Sequence, residues 1–284
     1  MLQIEAPAKI NLTLEVLGKR PDGYHEIRSV IQTINFSDSF QIKAGHTIKF
    51  SSNMPDWSPE QSLVSKAAYL LQRVTGCNKG AEIEIKKRIP LMSGLGGDSS
   101  DAAAILSGLN QWWELGILHT KLLELAGQLG SDVPFFLSGG TALMEGRGEI
   151  ITPLPAIPHQ WVVLVIPNVT RLPGKTRRAY NMLKPAHQTD GEITKEFIAK
   201  LKAGKKITFS QFFNTFENIV FLPGAELTEY KNHILKIGAP NIHLAGTGPA
   251  LYTLLEEKPQ AEDLLTRLTN QGMEAYLTET RQTL

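Results

Sequence analysis

The chain of 284 residues carries 29 basic and 28 acidic side chains and is 42% hydrophobic. It is long enough for one large or two moderate domains, and its net charge of +1 gives no overall field to attract nucleic acid or a membrane surface. Cys77 is the single cysteine, so an intramolecular disulfide is excluded and a cysteine-based metal cluster disfavoured. No apolar run is long enough to span a bilayer and the N-terminus lacks a signal-peptide pattern, which leaves the cytoplasm as the expected compartment.

In chain order, residues 10–16 alternate apolar and polar like a half-buried strand, so Lys9, Asn11, Thr13 and Glu15 share one face. Pro21-Asp22-Gly23 signals a turn, and strand character returns at 27–35, 40–42 and 47–50. Residues 62–74 read as a helix with Leu63, Ala67, Leu70, Leu71 and Val74 on one stripe. Residues 81–85 alternate like a strand, 102–109 are apolar at helical spacing, and 120–129 read as a helix stopped by Gly130. Pro153, Pro155 and Pro158 can continue neither a helix nor a central strand, which divides the chain into 1–157 and 158–284. The second part opens with a strand at 161–166. It then reads as mostly helical, at 176–183, 208–216, 226–235 and 262–270, with short strands at 241–244 and 250–255 flanking Gly246-Thr247-Gly248. A strand-rich part followed by a helix-and-sheet part indicates an α+β fold.

The run 90–100 concentrates the chemistry. Pro90, Leu91, Met92, Ser93, Gly94, Leu95, Gly96, Gly97, Asp98, Ser99 and Ser100 lie between a strand and a helix start. That order presents backbone N–H groups to phosphate, with the two hydroxyls able to reach phosphate or Mg²⁺. No Gly-Lys-Ser/Thr closes it, and the dinucleotide Gly-x-Gly-x-x-Gly spacing fails. A glycine-rich turn with Ser99 as the helix N-cap is the structural alternative.

The run resembles the glycine-rich motif of the galacto-, homoserine, mevalonate and phosphomevalonate (GHMP) kinase superfamily. Ala6-Pro7-Ala8-Lys9-Ile10-Asn11-Leu12 is similar to its N-terminal motif and Ala245-Gly246-Thr247-Gly248-Pro249 to its C-terminal one, in family order. Within it, Gly23-Tyr24-His25-Glu26, the Ser-Ser-Asp-Ala-Ala ending of the loop and Ser131-Asp132-Val133-Pro134-Phe135-Phe136 resemble a branch of the non-mevalonate isoprenoid route. Enzymes of that branch phosphorylate an alcohol carrying cytidine diphosphate.

The resemblance implies a two-domain fold, with an N-terminal domain like the second domain of ribosomal protein S5 and a C-terminal α/β sandwich-like domain. It implies ATP on the glycine loop with Lys87 nearby, Mg²⁺ accompanying the ATP, and a monomer or homodimer. Asp132 falls on the catalytic aspartate and Lys9 on its companion, although by residue type alone they read as a turn aspartate and a solvated lysine. Asn11, Tyr24, His25, Thr176, Tyr180, Gly246, Thr247 and Gly248 fall on substrate-contacting positions, with Tyr24 and Tyr180 sandwiching the cytosine. No acidic metal-ligand set is legible.

Four positions depart from the pattern. Asp98 replaces a usual glycine and is expected to face solvent or cap the helix. Ser62 replaces a frequent asparagine near the adenine, Ala245 a frequent serine, and Gly174-Lys175 precede Thr176 where a small serine is common. Two other readings are compatible with the motifs: a superfamily kinase acting on mevalonate, homoserine or a sugar, and a non-catalytic binding relative.

Overall fold

A computed structural model describes residues 1–55, 57–60, 62–171 and 174–283. The chain begins with two long strands, β1 (Leu2–Lys19) and β2 (His25–Lys43). There follow β3 (Ile48–Ser52), α1 (Leu63–Thr75), β4 (Ala81–Lys86), α2 (Gly97–Trp112), α3 (His119–Leu129), β5 (Thr141–Gly146) and β6 (Ile150–Pro153). Beyond these lie β7 (Trp161–Val165), α4 (Lys175–Met182), α5 (Glu192–Lys202), β8 (Phe213–Asn214), α6 (Glu217–Val220) and α7 (Glu226–Ile237). The last elements are β9 (His243–Leu244), β10 (Leu251–Leu255), α8 (Lys258–Asn270) and β11 (Ala275–Glu279). Among the described residues, no helix is long and apolar enough to cross a membrane.

The first sheet runs in the order β3-β4-β2-β1-β8, with β5 also paired to β2 and β6 to β5. β2 serves both neighbours because it is long: residues 39–43 pair with β4 and residues 27–32 with β5. The second sheet runs β11-β7-β10-β9. The first sheet takes in β8 from beyond residue 158, through parallel pairing of Thr13 and Leu14 with Phe213 and Asn214. A further tie between the sheets is the Tyr252 hydroxyl, which donates to the Asn11 carbonyl at 2.6 Å.

β1 differs from a half-buried strand in one respect that governs the site. Its apolar side is buried, but so are Lys9, Asn11, Thr13 and Glu15, none more than 4% exposed. α2 lies on this strand, and its small residues permit close approach: a Cβ on Gly108 would stand 2.0 Å from Ile4 Cδ1. Ala102, Ala103, Ile105, Leu106 and Leu109 of α2 join Phe40, Ile42, Leu71 and Phe135 in the larger core cluster. On the other side α5 rests on β1, where the Glu15 carboxylate accepts from the Thr194 N–H and Thr194 Oγ1 donates to Thr13 Oγ1.

Two expectations need correction, and the structural alternative with Ser99 as the N-cap also fails. Residues 27–35 and 40–42 belong to one continuous strand, because Ser37, Asp38 and Ser39 keep their pairing with β1 despite being polar. Residues 208–216 are not a helix: a single 3₁₀ turn at Phe209–Gln211 is followed by β8. There the Thr208 N–H donates to the Gln211 side chain, and Phe209, Phe212 and His243 form a ring cluster, so side-chain partners override the helical spacing. α2 begins at Gly97 with Gly96 at its N-cap (φ +77°), so Ser99 lies inside the first turn and does not cap it. α5 was not anticipated, although Phe197 and Leu201, one turn apart and both buried, carry its apolar stripe. The proline stretch is anchored against the first sheet: the Ile157 N–H donates to Thr141 Oγ1 and its side chain is buried.

Candidate active site

Strand geometry sets the first pair. Lys9 and Asn11 share a face of β1, and Lys9 Nζ donates to Asn11 Oδ1 at 2.6 Å. Asn11 Nδ2 donates to Ser29 Oγ at 2.9 Å, which donates in turn to the Thr13 carbonyl, so the amide orientation is determined by its neighbours on β2. Lys9 Nζ also stands 3.9 Å from Asp132 Oδ2. Asp132 lies in the turn after α3, between buried Val133, Phe135 and Phe136 on one side and the end of α3 on the other. Burial pushes the Lys9 ammonium below its ordinary range, and the Asp132 carboxylate opposes that shift.

The glycine run turns over this pair. The Lys9 N–H donates to the Leu95 carbonyl at 2.9 Å, and the Ala250 N–H to the Ser93 carbonyl at 3.0 Å. Gly94 (φ +92°) is pressed against the second glycine motif, where an added Cβ would come within 2.1 Å of the Ala245 carbonyl oxygen. A Cβ on Gly246 would stand 3.0 Å from the Gly94 carbonyl oxygen and 3.2 Å from Lys9 Nζ. Two motifs more than 150 positions apart therefore meet at the lysine, and glycine is required where they touch.

A cavity of about 760 Å³ opens over these groups. Its walls include Lys9, Asn11, Tyr24, His25, Asp132, Thr176, Tyr180, Gly246 and Thr247, together with Pro90, Leu91, Met92, Ser93, Gly94, Gly96, Gly97, Asp98 and Ser99. Leu95, Ser100 and Gly248 do not line it. Leu95 and Ser100 are buried beneath the loop, and Gly248 packs on Leu244.

At one end of the cavity the rings differ from a two-tyrosine sandwich. His25 itself stacks on Tyr180, with centroids 4.9 Å apart and planes 28° apart, and Phe216 meets Tyr180 edge-on. Tyr24 is half exposed and lies 5.0 Å beneath the Arg147 guanidinium. Thr176 and Thr247 bring their hydroxyls within 3.5 Å. Burial, with a smaller contribution from Lys19, lowers the His25 imidazole below its ordinary value.

Lys87 touches the cavity wall, but its ammonium is engaged elsewhere. It forms ion pairs with Asp38 of β2 and Asp101 of α2, all three side chains being at most 1% exposed. Burial works against the Lys87 charge, yet Asp101 and Asp38 outweigh it and hold the ammonium above its usual range. Burial raises the Asp101 carboxyl well above the usual carboxylate range. The other oxygen of Asp38 accepts the N–H groups of Arg88 and Ile89, so this cluster anchors both strands of chain that carry the glycine run.

Asp98 caps a helix, but not its own. Its carboxylate accepts Ser62 Oγ at 2.6 Å and the Leu63 N–H at 3.2 Å, closing the N-terminus of α1. Two departures from the motif are thus direct partners. Arg147 and Phe216 escaped the sequence reading; Arg147 stands between Gly146 and Gly148, a hairpin signature that could have drawn attention to it. Asn214 was also missed: its side-chain amide donates to the Leu244 and Gly246 carbonyls, bracing the second glycine turn. Among the described residues, no three His, Cys, Asp or Glu side chains gather into a metal-binding group.

Residues 62–140 match the GHMP kinases N terminal domain. The chain is 47% identical over 280 residues to a 4-diphosphocytidyl-2-C-methyl-D-erythritol kinase of Dehalococcoides mccartyi, covering 99% of this chain and 98% of that one. It is 35% identical to the protein of the same name from Gloeobacter violaceus, covering 99% and 95%. A crystal structure of 4-(cytidine 5'-diphospho)-2C-methyl-D-erythritol kinase superposes with a TM-score of 0.83 at 29% identity, covering 98% of this chain and 99% of that one. Homoserine kinase from Cytophaga hutchinsonii shares the fold, with a TM-score of 0.73 at 18% identity and coverage of 99% and 95%. The chain belongs to the 4-diphosphocytidyl-2-C-methyl-D-erythritol kinase family of GHMP kinases and is a phosphotransferase with an alcohol group as acceptor.

Proposed function

We propose that this protein transfers the γ-phosphate of ATP to the C2 hydroxyl of 4-diphosphocytidyl-2-C-methyl-D-erythritol, with Asp132 as the proton acceptor and Lys9 as its cationic companion. One observation carries the reading: the Lys9–Asp132 pair lies in a single cavity whose walls include the glycine loop and the ring cluster of His25 and Tyr180. A loop at a helix N-terminus suits phosphates, and flat rings suit a base.

The residues divide the work as follows. The N–H groups of the glycine loop and the start of α2 hold the triphosphate. Asp132 takes the hydroxyl proton as the alcohol oxygen bonds to phosphorus and the bond to ADP breaks. Because phosphoryl transfer is usually loose, orienting that oxygen matters as much as removing its proton. Lys9, held by Asn11, keeps positive charge beside the carboxylate and the transferring group. His25, Tyr180 and Tyr24 hold the cytosine end, and the stacking of His25 on Tyr180 makes His25 part of the platform that receives it.

Magnesium accompanying ATP would be held chiefly by phosphate oxygens, with the Ser99 hydroxyl, on the cavity wall, as the protein partner. The metal would neutralise phosphate charge.

A coupled assay with the cytidine diphosphate alcohol tests the reading, with mevalonate and homoserine as alternative acceptors. Wild type turns over only the first. Asp132→Asn loses about 10²- to 10⁴-fold in kcat while still binding nucleotide, the range for one general base. Near-normal turnover in folded Asp132→Asn would sink the assignment.

A further inference from the structure

Arg171 and Lys175 stand just before and at the start of α4, and both end on the glycine run. Arg171 Nη1 lies 3.5 Å from the Leu91 carbonyl oxygen, and Lys175 Nζ lies 3.4 Å from that of Met92. Neither forms an ion pair with a carboxylate among the described residues, whereas Lys9 has Asp132, and Lys87 has Asp38 and Asp101. The charges facing Lys175 from its surroundings are Arg171 and, from β1, Lys9, with Asp132 beyond Lys9. Arg177 and Arg178 follow on its own helix. Arg171 and Lys175, both half-buried and without a carboxylate partner among the described residues, leave the loop region in need of an anion.

The peptide plane adds a direction. In a trans peptide the C=O of one residue and the N–H of the next point oppositely. Carbonyls of Leu91 and Met92 turned toward Arg171 and Lys175 therefore direct the N–H groups of Met92 and Ser93 away from α4. Leu91, Met92 and Ser93 line the cavity, while Arg171 and Lys175 do not. Met92 keeps this turn at φ +55°, a conformation that is costly for a residue with a side chain.

We propose that Arg171 and Lys175 are positioning residues for the nucleotide: from behind the glycine run they hold the Leu91 and Met92 carbonyls, present the Met92 and Ser93 N–H groups to the terminal phosphates, and supply charge that those phosphates neutralise. The proposal rests on the ATP-dependent reading above. It gives a role to a lysine where the motif usually carries a small serine. Burial, with Arg171 and Lys9, lowers the Lys175 ammonium to about 8, so its charge is lost within reach of ordinary assay conditions.

Calorimetric titration of wild type, Lys175→Met, Lys175→Arg and Arg171→Met with a non-hydrolysable ATP analogue, AMP and CDP tests this. Lys175→Met and Arg171→Met each weaken the ATP analogue by about tenfold, the size of one charge-assisted contact at a half-exposed position. AMP and CDP binding change less than about twofold, and kcat at saturating ATP is retained. Lys175→Arg restores the affinity. In wild type the analogue's affinity falls as pH rises through about 8, where the Lys175 charge disappears, and in Lys175→Arg it does not. Unchanged analogue affinity in Lys175→Met, an equal loss of AMP or CDP, or a pH dependence that survives in Lys175→Arg overturns the proposal. A wild type that binds CDP and no adenine nucleotide overturns the ATP reading itself.

Discussion

At Lys9 two effects oppose each other, and their balance makes the residue useful. Burial lowers the ammonium's pKa while Asp132 at 3.9 Å raises it, and the ammonium donates to the Asn11 side chain at 2.6 Å. A cation held in this way has few rotamers left to lose when substrate arrives. His25 is a second residue whose surroundings define its task. Its ring already stacks on Tyr180, and burial, with Lys19, lowers its pKa below the ordinary imidazole value. His25→Ala is expected to raise the Michaelis constant for the cytidine diphosphate substrate about tenfold, the cost of one lost stacking surface, and to leave that for ATP within twofold. Steady-state kinetics with each substrate varied in turn checks this; equal changes in both constants would remove His25 from the base-binding end. Lys9, Asn11, His25 and Asp132 were all legible as candidates because short motifs carry them. The partners of Lys87 were not: Asp38 and Asp101 lie 49 and 14 positions away, and although Asp101 belongs to the Ser-Ser-Asp-Ala-Ala ending of the loop, nothing in that spacing shows which cation it meets.

At the scale of elements, the site depends on how helices are started. α2 is preceded by Gly96 at its N-cap, whose φ of +77° favours glycine, and a Cβ there would stand 2.8 Å from Phe136. α1 begins at Ser62, whose side chain accepts the Val64 N–H, while Asp98 of α2 takes the Leu63 N–H. One carboxylate thus satisfies a neighbouring helix end and fixes α1 against the loop. Asp98→Ala should cost about 1 kcal/mol, as lost caps do. In a protein of this size that lowers the melting temperature by about 2 °C, and the Michaelis constant for ATP should stay within twofold. Differential scanning calorimetry and initial rates test both; a tenfold rise in the ATP constant without a thermal shift would show that the carboxylate acts on the nucleotide. The sequence placed α1, β4 and the glycine loop well because each has its own period or punctuation. It misplaced 208–216 because aromatic residues at helical spacing serve equally well as a ring cluster around a turn and a short strand.

At the scale of the molecule, the site exists where two sheets are joined. β8 pairs with β1, Asn214 on β8 braces the Gly246 turn, and Tyr252 of the second sheet donates to the carbonyl of Asn11. Tyr252→Phe removes only that hydroxyl, from a fully buried ring, and leaves a buried carbonyl with one partner fewer. It should cost about 1 to 2 kcal/mol of unfolding free energy and lower kcat several-fold as β1 loosens beneath Lys9. Urea denaturation and turnover read the two together, and full turnover with lowered stability would separate the tie from the site. The sequence by itself determined the alternation of β1, the glycine loop ahead of α2, the stripe of α1 and the order of the motifs, because each is written in local spacing or in a residue's own backbone preference. Only the tertiary structure decided that the polar face of β1 is buried, that Gly94 must yield to the Ala245 carbonyl, that Asp98 caps α1, and that Lys87 is held by two aspartates. Each of these depends on a partner far along the chain. Periodicity specifies which way a side chain points, and only the packed molecule specifies what it meets there.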